Sequence, residues 1–441
     1  MVRIQLPRKA EDIIEKIQTA GYEAYAVGGC IRDSILGKEP DDWDITTSAK
    51  PEEVKMLFDR TIDTGIQHGT VTVMIGKEGF EITTYRIDGK YEDSRHPKDV
   101  TFTSNLKEDL RRRDFTINAM AYNSKDGLID LYEGVQDMKQ GLIRCVGDAE
   151  ERFTEDALRM MRAVRFSAQL GYAIEENTKK AIRKLAPTIQ NISAERIRTE
   201  LVKLMTSAHP DFFRIAYETG ITAQVFPEFD ICMETEQNNP HHCYSVGEHI
   251  LHTLSYVESD KVLRLAMLFH DIGKPRTLTI DEEGITHNHG HAAVGEELTV
   301  RILKRLKFDN DTIDKVKKLV RYHDRKIETN AKSVRRAVSD MGEDIFPLLF
   351  SVKYADIMAQ SEYQRDEKLS ELETLKSIYG RIIEEKNCLS LKDLAVTGGD
   401  LIAAGMKPGR EIGTALHKLL EVVLEEPEHN QKEYLLSLLQ L

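Results

Sequence analysis

The residues most able to do chemistry are Gly28-Gly29-Cys30-Ile31-Arg32-Asp33, followed nine residues later by Asp42-Trp43-Asp44. Tyr22 to Val27 reads as a short strand and Ile31 onward as a helix. Between them, Gly28 and Gly29 allow the sharp turn and close backbone approach that a triphosphate needs, and the start of the following helix attracts anions. Arg32 adds a charged fork for the same phosphates. If Asp42 to Thr46 is a strand, Asp42 and Asp44 project from one face, and both carboxylates can grip a hard divalent cation. Two such ions would activate an attacking hydroxyl and steady a leaving pyrophosphate. Alone, a Gly-Gly pair is an ordinary turn and Asp-x-Asp a solvated loop or helix cap. The ordered combination points to chemistry at a triphosphate.

The elements that must position these groups alternate between short strands and helices from Leu6 to Asn123, which is an α/β module. A helix is predicted near Ala10 to Thr19 and another after Ser48, with Glu52 and Glu53 in its first turn. Val71 to Ile75 and Phe80 to Arg86 are β-rich runs separated by Gly76-Lys77-Glu78-Gly79, a hairpin signal. The second arm carries Glu81 beside the Asp pair, a third carboxylate candidate whose plain alternative is an exposed strand Glu. A polar stretch from Tyr91 to Thr103 leads into Leu110-Arg111-Arg112-Arg113-Asp114-Phe115-Thr116-Ile117-Asn118-Ala119. Arg112, Arg113, Asp114 and Asn118 could bind phosphate and ribose, since guanidinium forks suit phosphate while carboxylate and amide groups pair with sugar hydroxyls. From Glu151 the pattern is predominantly helical to the C-terminus. A composition break falls at Gln237-Asn238-Asn239-Pro240, and a softer one near Asn387 to Asp393.

At 441 residues the chain is too long for one ordinary core. No apolar run approaches the roughly 18 to 20 residues that span a bilayer, and the first residues lack the apolar core of a signal peptide. Five scattered cysteines without a Cys-x-x-Cys pair point to reduced thiols, so a cytoplasmic protein with no membrane association is expected. The net charge of -13 argues against nucleic acid as a partner until its distribution is examined. Between Glu151 and Met205 there are eleven Lys and Arg against seven Asp and Glu, a locally basic segment in an acidic chain.

In ordered series, these motifs resemble the class II tRNA nucleotidyltransferases, the bacterial CCA-adding enzymes and their poly(A) polymerase relatives in the DNA polymerase beta superfamily. Gly28-Gly29-x-x-Arg32-Asp33 with Asp42-x-Asp44 is similar to the family's catalytic motif, and Arg112-Arg113-Asp114-Phe115 with Asn118-Ala119 to its ribose-binding motif. Val146-Gly147-Asp148, Arg152-Phe153, Glu155-Asp156-Ala157-Leu158-Arg159 and Glu195-Arg196-Ile197 resemble the neck motifs that follow. Asp156 and Arg159, three apart on a predicted helix, share a face and can imitate the Watson–Crick edge of a base; the plain alternative is a surface ion pair. Arg162 and Arg165 complete the nucleotide-binding set. The resemblance implies a polymerase-beta-like α/β head with a mixed sheet, then a largely α-helical neck, body and tail. It also implies a two-ion Mg²⁺ reaction adding CCA to tRNA from CTP and ATP. Tyr85 to Phe102, with Tyr91-Glu92-Asp93-Ser94-Arg95, resembles the family's flexible loop. Residues 391 to 430, with Gly399-Asp400-Leu401 and Gly405 to Gly413, resemble its tail, where contact with the tRNA elbow is expected.

Nine of the fourteen histidines fall between positions 241 and 323. His242-Cys243-Tyr244-Ser245-Val246, His270-Asp271-Ile272-Gly273-Lys274, His287, His289, His291 and His323-Asp324 resemble an HD-type metal phosphohydrolase domain. The expected ligands of this second divalent metal are His242, His270, Asp271, His291 and Asp324, with His249 a rival for the first position. An active centre, in which metal-activated water attacks a phosphoester, and a structural relic both suit this pattern. The expected domains are a head at 1–140, a neck and body at 141–236, an HD-type domain at 237–345 and a helical body and tail at 346–441. The alternative activities are A addition or poly(A) synthesis within the same family, and an HD phosphohydrolase with an RNA-binding head.

Overall fold

Ala24, Tyr25, Ala26 and Val27 are all buried, as in a strand covered on both faces, where apolar residues run on without alternation. In the computed structural model, which describes residues 3–89 and 100–439, this strand lies inside a seven-stranded sheet. Across the sheet the order is Thr61–Gly65, Thr70–Ile75, Glu78–Thr84, Ile45–Thr47, Ala24–Val27, Met120–Asn123 and Gly127–Asp130. Ile45–Thr47 runs parallel to Glu78–Thr84, and the remaining neighbours pair antiparallel, so the sheet is mixed. The Tyr91-Glu92-Asp93-Ser94-Arg95 stretch lies outside the described residues.

The hairpin is tighter than its sequence suggests. Glu78 pairs with Ile75 and Gly79 with Met74, leaving a two-residue turn at Gly76-Lys77 with Gly76 at φ +67°. Ladder pairing therefore claims two residues that read locally as turn, and Gly79 fits because a Cβ there would come within 2.9 Å of Thr72. The strand expected from Asp42 begins only at Ile45; Asp42 and Asp44 lie in the segment leading into it. The Asp44 carbonyl still accepts from the Val27 N–H at 2.9 Å, which ties that segment to the central strand.

Two compact units divide the chain, Met1–Pro227 and Glu228–Leu441. Within the first, the α/β head continues into helices that include Ala149–Glu155, Leu158–Leu170 and Ala194–Met205. Phe115 meets Phe166 of the Leu158–Leu170 helix edge to face, with centroids 5.8 Å apart and rings at 79°, a geometry worth about 0.5–1.5 kcal/mol beyond simple burial. That contact fixes the arginine-rich turn of the head against the helix carrying Arg159, Arg162 and Arg165.

The second unit is built largely from helices. Ser245, Asp260 and Asp309 cap three of them by accepting backbone N–H bonds, as N-cap preferences predict. Its helix Lys261–Phe269 ends at His270, and the following turn packs against the start of His291–Arg305 so closely that a Cβ on Gly273 would lie 2.1 Å from the His291 carbonyl oxygen. Glycine at 273 is thus what lets His291 approach Asp271. Among the described residues, no helix is long and apolar enough to cross a membrane.

Candidate functional site

Parallel pairing of Ile45 with Ile82 places Asp44, just ahead of its strand, at the level of Glu81 in the adjoining one, each one residue before that pair. Asp42, Asp44 and Glu81 are all open to solvent at their surfaces. Even so, the Asp44 carboxyl is crowded enough to be raised to about 6, first by lost hydration, then by the charge of Asp42 and to a smaller degree Glu81, against the lowering influence of Arg113. Like charges held together resist ionisation unless a cation joins them, so this cluster fits a divalent metal.

The sign of that shift gives a test. A carboxyl whose folded pKa lies above its ordinary 3.8 costs nothing below that value; its penalty builds between 3.8 and about 6 and is complete above it. Asp44→Asn should therefore melt at a higher temperature than the parent at pH 8 in chelator, and at the same temperature at about pH 3, below the ordinary carboxylate range. Equal midpoints at pH 8 in scanning calorimetry would contradict the crowding.

Gly28 has φ +89° and precedes the helix Gly29–Ile35; a Cβ there would also lie 3.3 Å from an Arg113 guanidinium nitrogen. Arg32 is buried and donates to both oxygens of Asp33 at 2.9 and 2.8 Å and to Asn118 Oδ1 at 2.7 Å. Asn118 passes a bond on to Asp114 at 3.3 Å, and Asp114 accepts two more from Arg162 at 2.8 and 2.6 Å. Burial raises the Asp114 carboxyl, but Arg162 outweighs it and holds the group down at about 2. Arg112 and Arg113 are both anchored on Asp109, which is fully buried and also accepts from Thr46 at 3.1 Å. Asp109 escaped the sequence reading, although its spacing of three and four from the arginines was a usable helical signal.

Asp156 and Arg159 do not share a helix. Asp156 is extended, at φ −143°, in the break between Ala149–Glu155 and Leu158–Leu170, where its side chain accepts the Leu158 N–H at 3.0 Å. It pairs with Arg196 at 2.7 Å, while Arg159 pairs with Glu155 and donates to the Arg112 and Arg152 carbonyls at 3.0 Å. The break has a local cause, because the Asp156 carboxylate competes for the backbone N–H that a continuous helix would use otherwise. Arg165 pairs with buried Glu200 and lies 3.8 Å over the Phe166 ring. Glu155 and Arg196 fall within the neck motifs but nothing local names their partners, and Glu200 has no signature that separates it from a surface charge.

Comparison with known proteins bears on this arrangement. The Poly A polymerase head domain family matches residues 24–144, an RNA- and SrmB-binding region of polymerase A matches 171–233, and tRNA nucleotidyltransferase domain 2 matches 281–439. A CCA-adding enzyme of Leuconostoc mesenteroides is 39% identical over 428 residues, 94% of this chain and 92% of that protein. The chain belongs to the CCA-adding enzyme family. Its similarity to the family member of Lactiplantibacillus plantarum reaches 56% identity over 213 residues, 48% of this chain and 52% of that protein. The crystal structure of the Bacillus stearothermophilus CCA-adding enzyme in complex with CTP superimposes with a TM-score of 0.73 at 28% identity, covering 98% of each chain.

In this family member the histidine block of the second unit is also assembled, with a different membership from that expected. His249, His270 and Asp271 form one convergent group, and Asp271, His291 and His323 another. His242 stands outside both; its Nε2 is 3.3 Å from Lys274 Nζ. Asp324 is exposed, whereas His323, at the end of the helix Asn310–Tyr322, is buried and turned inward. His249 joins the convergent group because it sits on the buried face of the helix Val246–Leu254, while His242 lies in the turn before that helix. Asp356, 2.9 Å from His249, joins from the helix Phe346–Ala359, a hundred residues away, and no local motif marks it.

Proposed function

We propose that this family member adds the 3′-terminal CCA to tRNA from CTP and ATP, with Asp42, Asp44 and Glu81 as the catalytic carboxylates. The full-length similarity to a CCA-adding enzyme supports the activity and favours it over a phosphohydrolase with an RNA-binding head. The crowded carboxyl of Asp44 is the observation that supports the site. Asp42 and Asp44 would hold two Mg²⁺ ions; when bound, such ions activate the attacking hydroxyl and neutralise charge on the leaving pyrophosphate. The terminal 3′ oxygen of tRNA bonds to the α-phosphorus of the nucleotide, and the bond to pyrophosphate breaks in line.

The chain's own groups do the binding and orienting. Gly28 and Gly29 let the backbone approach the triphosphate, and Arg32, Arg112 and Arg113 offer it guanidinium donors. Asp114, kept ionised by Arg162, is an acceptor for ribose hydroxyls and so favours ribose over deoxyribose; Asn118 orients it. Asp156 and Arg159 present acceptor and donor atoms to the base, with Arg165 completing the arginine set. Lys407 and Arg410, exposed beside Gly405 and Gly409, are available to the tRNA backbone. All five cysteines are free thiols, four of them buried, which supports the cytoplasm as the compartment. The working domain plan is the head at 1–140, neck and body at 141–236, the histidine-rich domain from 237 and the tail after it. The end of the histidine-rich domain moves from 345 to 359 to include Asp356.

Pyrophosphate release offers a direct check. It should require a CCA-lacking tRNA and CTP or ATP together; release from a nucleotide alone, or phosphate release from RNA alone, would count against the assignment.

A further inference from the structure

Asp109 has no exposed surface, and a carboxylate so placed persists only with close cationic and hydrogen-bonding partners. Three residues supply them, on two sides. Oδ1 accepts from Arg112 Nε and Nη2 at 3.0 and 2.8 Å. Oδ2 accepts from Arg113 Nη2 at 3.3 Å and from Thr46 Oγ1 at 3.1 Å. Burial raises this carboxyl, but Arg112 and then Arg113 outweigh it and hold the group below the ordinary carboxylate range. Asp109 is therefore ionised, and each of its oxygens is committed to protein.

Thr46 joins this group from another element. It lies in the strand Ile45–Thr47, two residues after Asp44, and its hydroxyl is also 3.2 Å from the carbonyl of Thr83, its register partner on Glu78–Thr84. One hydroxyl proton serves one strong bond at a time, and the ionised carboxylate is the stronger acceptor. Thr83 stands two residues after Glu81 and so on the same face of its strand. Asp109 is thus the junction between the two strands next to the candidate carboxylates and the two arginines of the following turn. Arg113 reaches from the junction into the site. Its Nη1 is 3.3 Å from the place a Cβ on Gly28 would take, and its charge acts on Asp44. Its Nε is buried with no partner among the described residues, so its orientation depends on the bond to Asp109.

We infer that Asp109 is a positioning residue for nucleotide addition: buried away from metal and nucleotide, it sets Arg112 and Arg113 in register with the strands next to Asp44 and Glu81. The inference rests on the catalytic reading of those carboxylates. Its consequence is kinetic. The guanidinium charges persist without Asp109, so their ground-state attraction for a triphosphate survives its loss. What goes is their fixed direction as charge moves onto the leaving pyrophosphate, and preorganised donors of that kind act in the transition state. Asp109→Asn keeps the shape of the side chain but only one acceptor oxygen, so either Arg112 or Arg113 with Thr46 loses its acceptor. Thr46→Val keeps the arginine bonds and removes the tie to the strand.

The test compares the whole parent protein with Asp109→Asn, Thr46→Val and the double variant, in CTP addition to a tRNA lacking its terminal CCA at saturating Mg²⁺, with melting curves alongside. Asp109→Asn should lower kcat by about 10- to 100-fold while KM for CTP changes by less than about threefold, the pattern of an interaction made chiefly in the transition state. Thr46→Val should lower kcat by about 3- to 10-fold. The double variant should lose no more than Asp109→Asn alone, because both changes act through one junction. An unchanged kcat in Asp109→Asn, with or without a raised KM, would overturn the inference, and so would losses that multiply in the double variant. If Asp109→Asn does not fold, Thr46→Val decides, and parental kcat in that variant overturns the inference. A parent protein that adds no nucleotide would instead overturn the carboxylate reading, and the inference with it, a result distinct from an active parent with indifferent variants.

Discussion

Asp42→Ala is expected to lower nucleotide addition by at least about 10³-fold while leaving the fold intact, the loss of several kcal/mol that removal of a metal-supporting carboxylate from a charged transition state entails. The two halves of this expectation have separate causes. Asp42 is exposed and lies ahead of the strand Ile45–Thr47, so its removal breaks no ladder pairing, and surface substitutions of this kind change stability by about 0.5 kcal/mol or less. Its charge, however, is a main reason why the Asp44 carboxyl is raised, so the two groups act on one small volume. Single-turnover rates at saturating Mg²⁺, with melting curves alongside, check both halves. A variant retaining more than about a tenth of the parent rate would remove Asp42 from the catalytic set.

The second large effect concerns choice of nucleotide. Arg159→Ala should reduce the preference for CTP and ATP over UTP and GTP by about 10- to 100-fold, since a paired contact to a base edge discriminates by about 1–3 kcal/mol. Asp156→Ala should act in the same direction. Both side chains are bonded to protein in the structure, Asp156 to Arg196 and Arg159 to Glu155. On the proposed reading both exchange these partners when a base binds, so Arg196 competes with the base for Asp156. The ratio of kcat/KM values across the four nucleotides is the measurement. A uniform fall in rate with unchanged ratios would make the pair a structural brace.

The fold of the head was legible because its candidate motifs are local. Gly28 to Asp33, Asp42 to Asp44 and Arg112 to Asn118 are short runs in which residue type and spacing carry the argument, and Glu81 followed from the hairpin beside them. Boundaries were less legible: pairing with Ile75 and Met74 drew Glu78 and Gly79 out of the expected turn, and Asp156 interrupted an expected helix through its own side chain. Long-range partners could not be read at all. Asp109 had a helical spacing that pointed to Arg112 and Arg113, but nothing near Asp356 in sequence connects it to His249, and nothing near Arg196 connects it to Asp156. In the histidine block the run His270-Asp271 was informative, whereas the convergence of His249 and His323 with it, and not of His242 and Asp324, depends on which side of a helix end faces inward.

The most direct test of the account is extension of a tRNA lacking its terminal CCA, with Mg²⁺ and CTP alone, ATP alone or both, resolved at single-nucleotide resolution. The account predicts addition of CC with CTP and a complete, self-limiting CCA with both nucleotides. Addition of A only to a CC-ended tRNA, or an unbounded A tail, would contradict it.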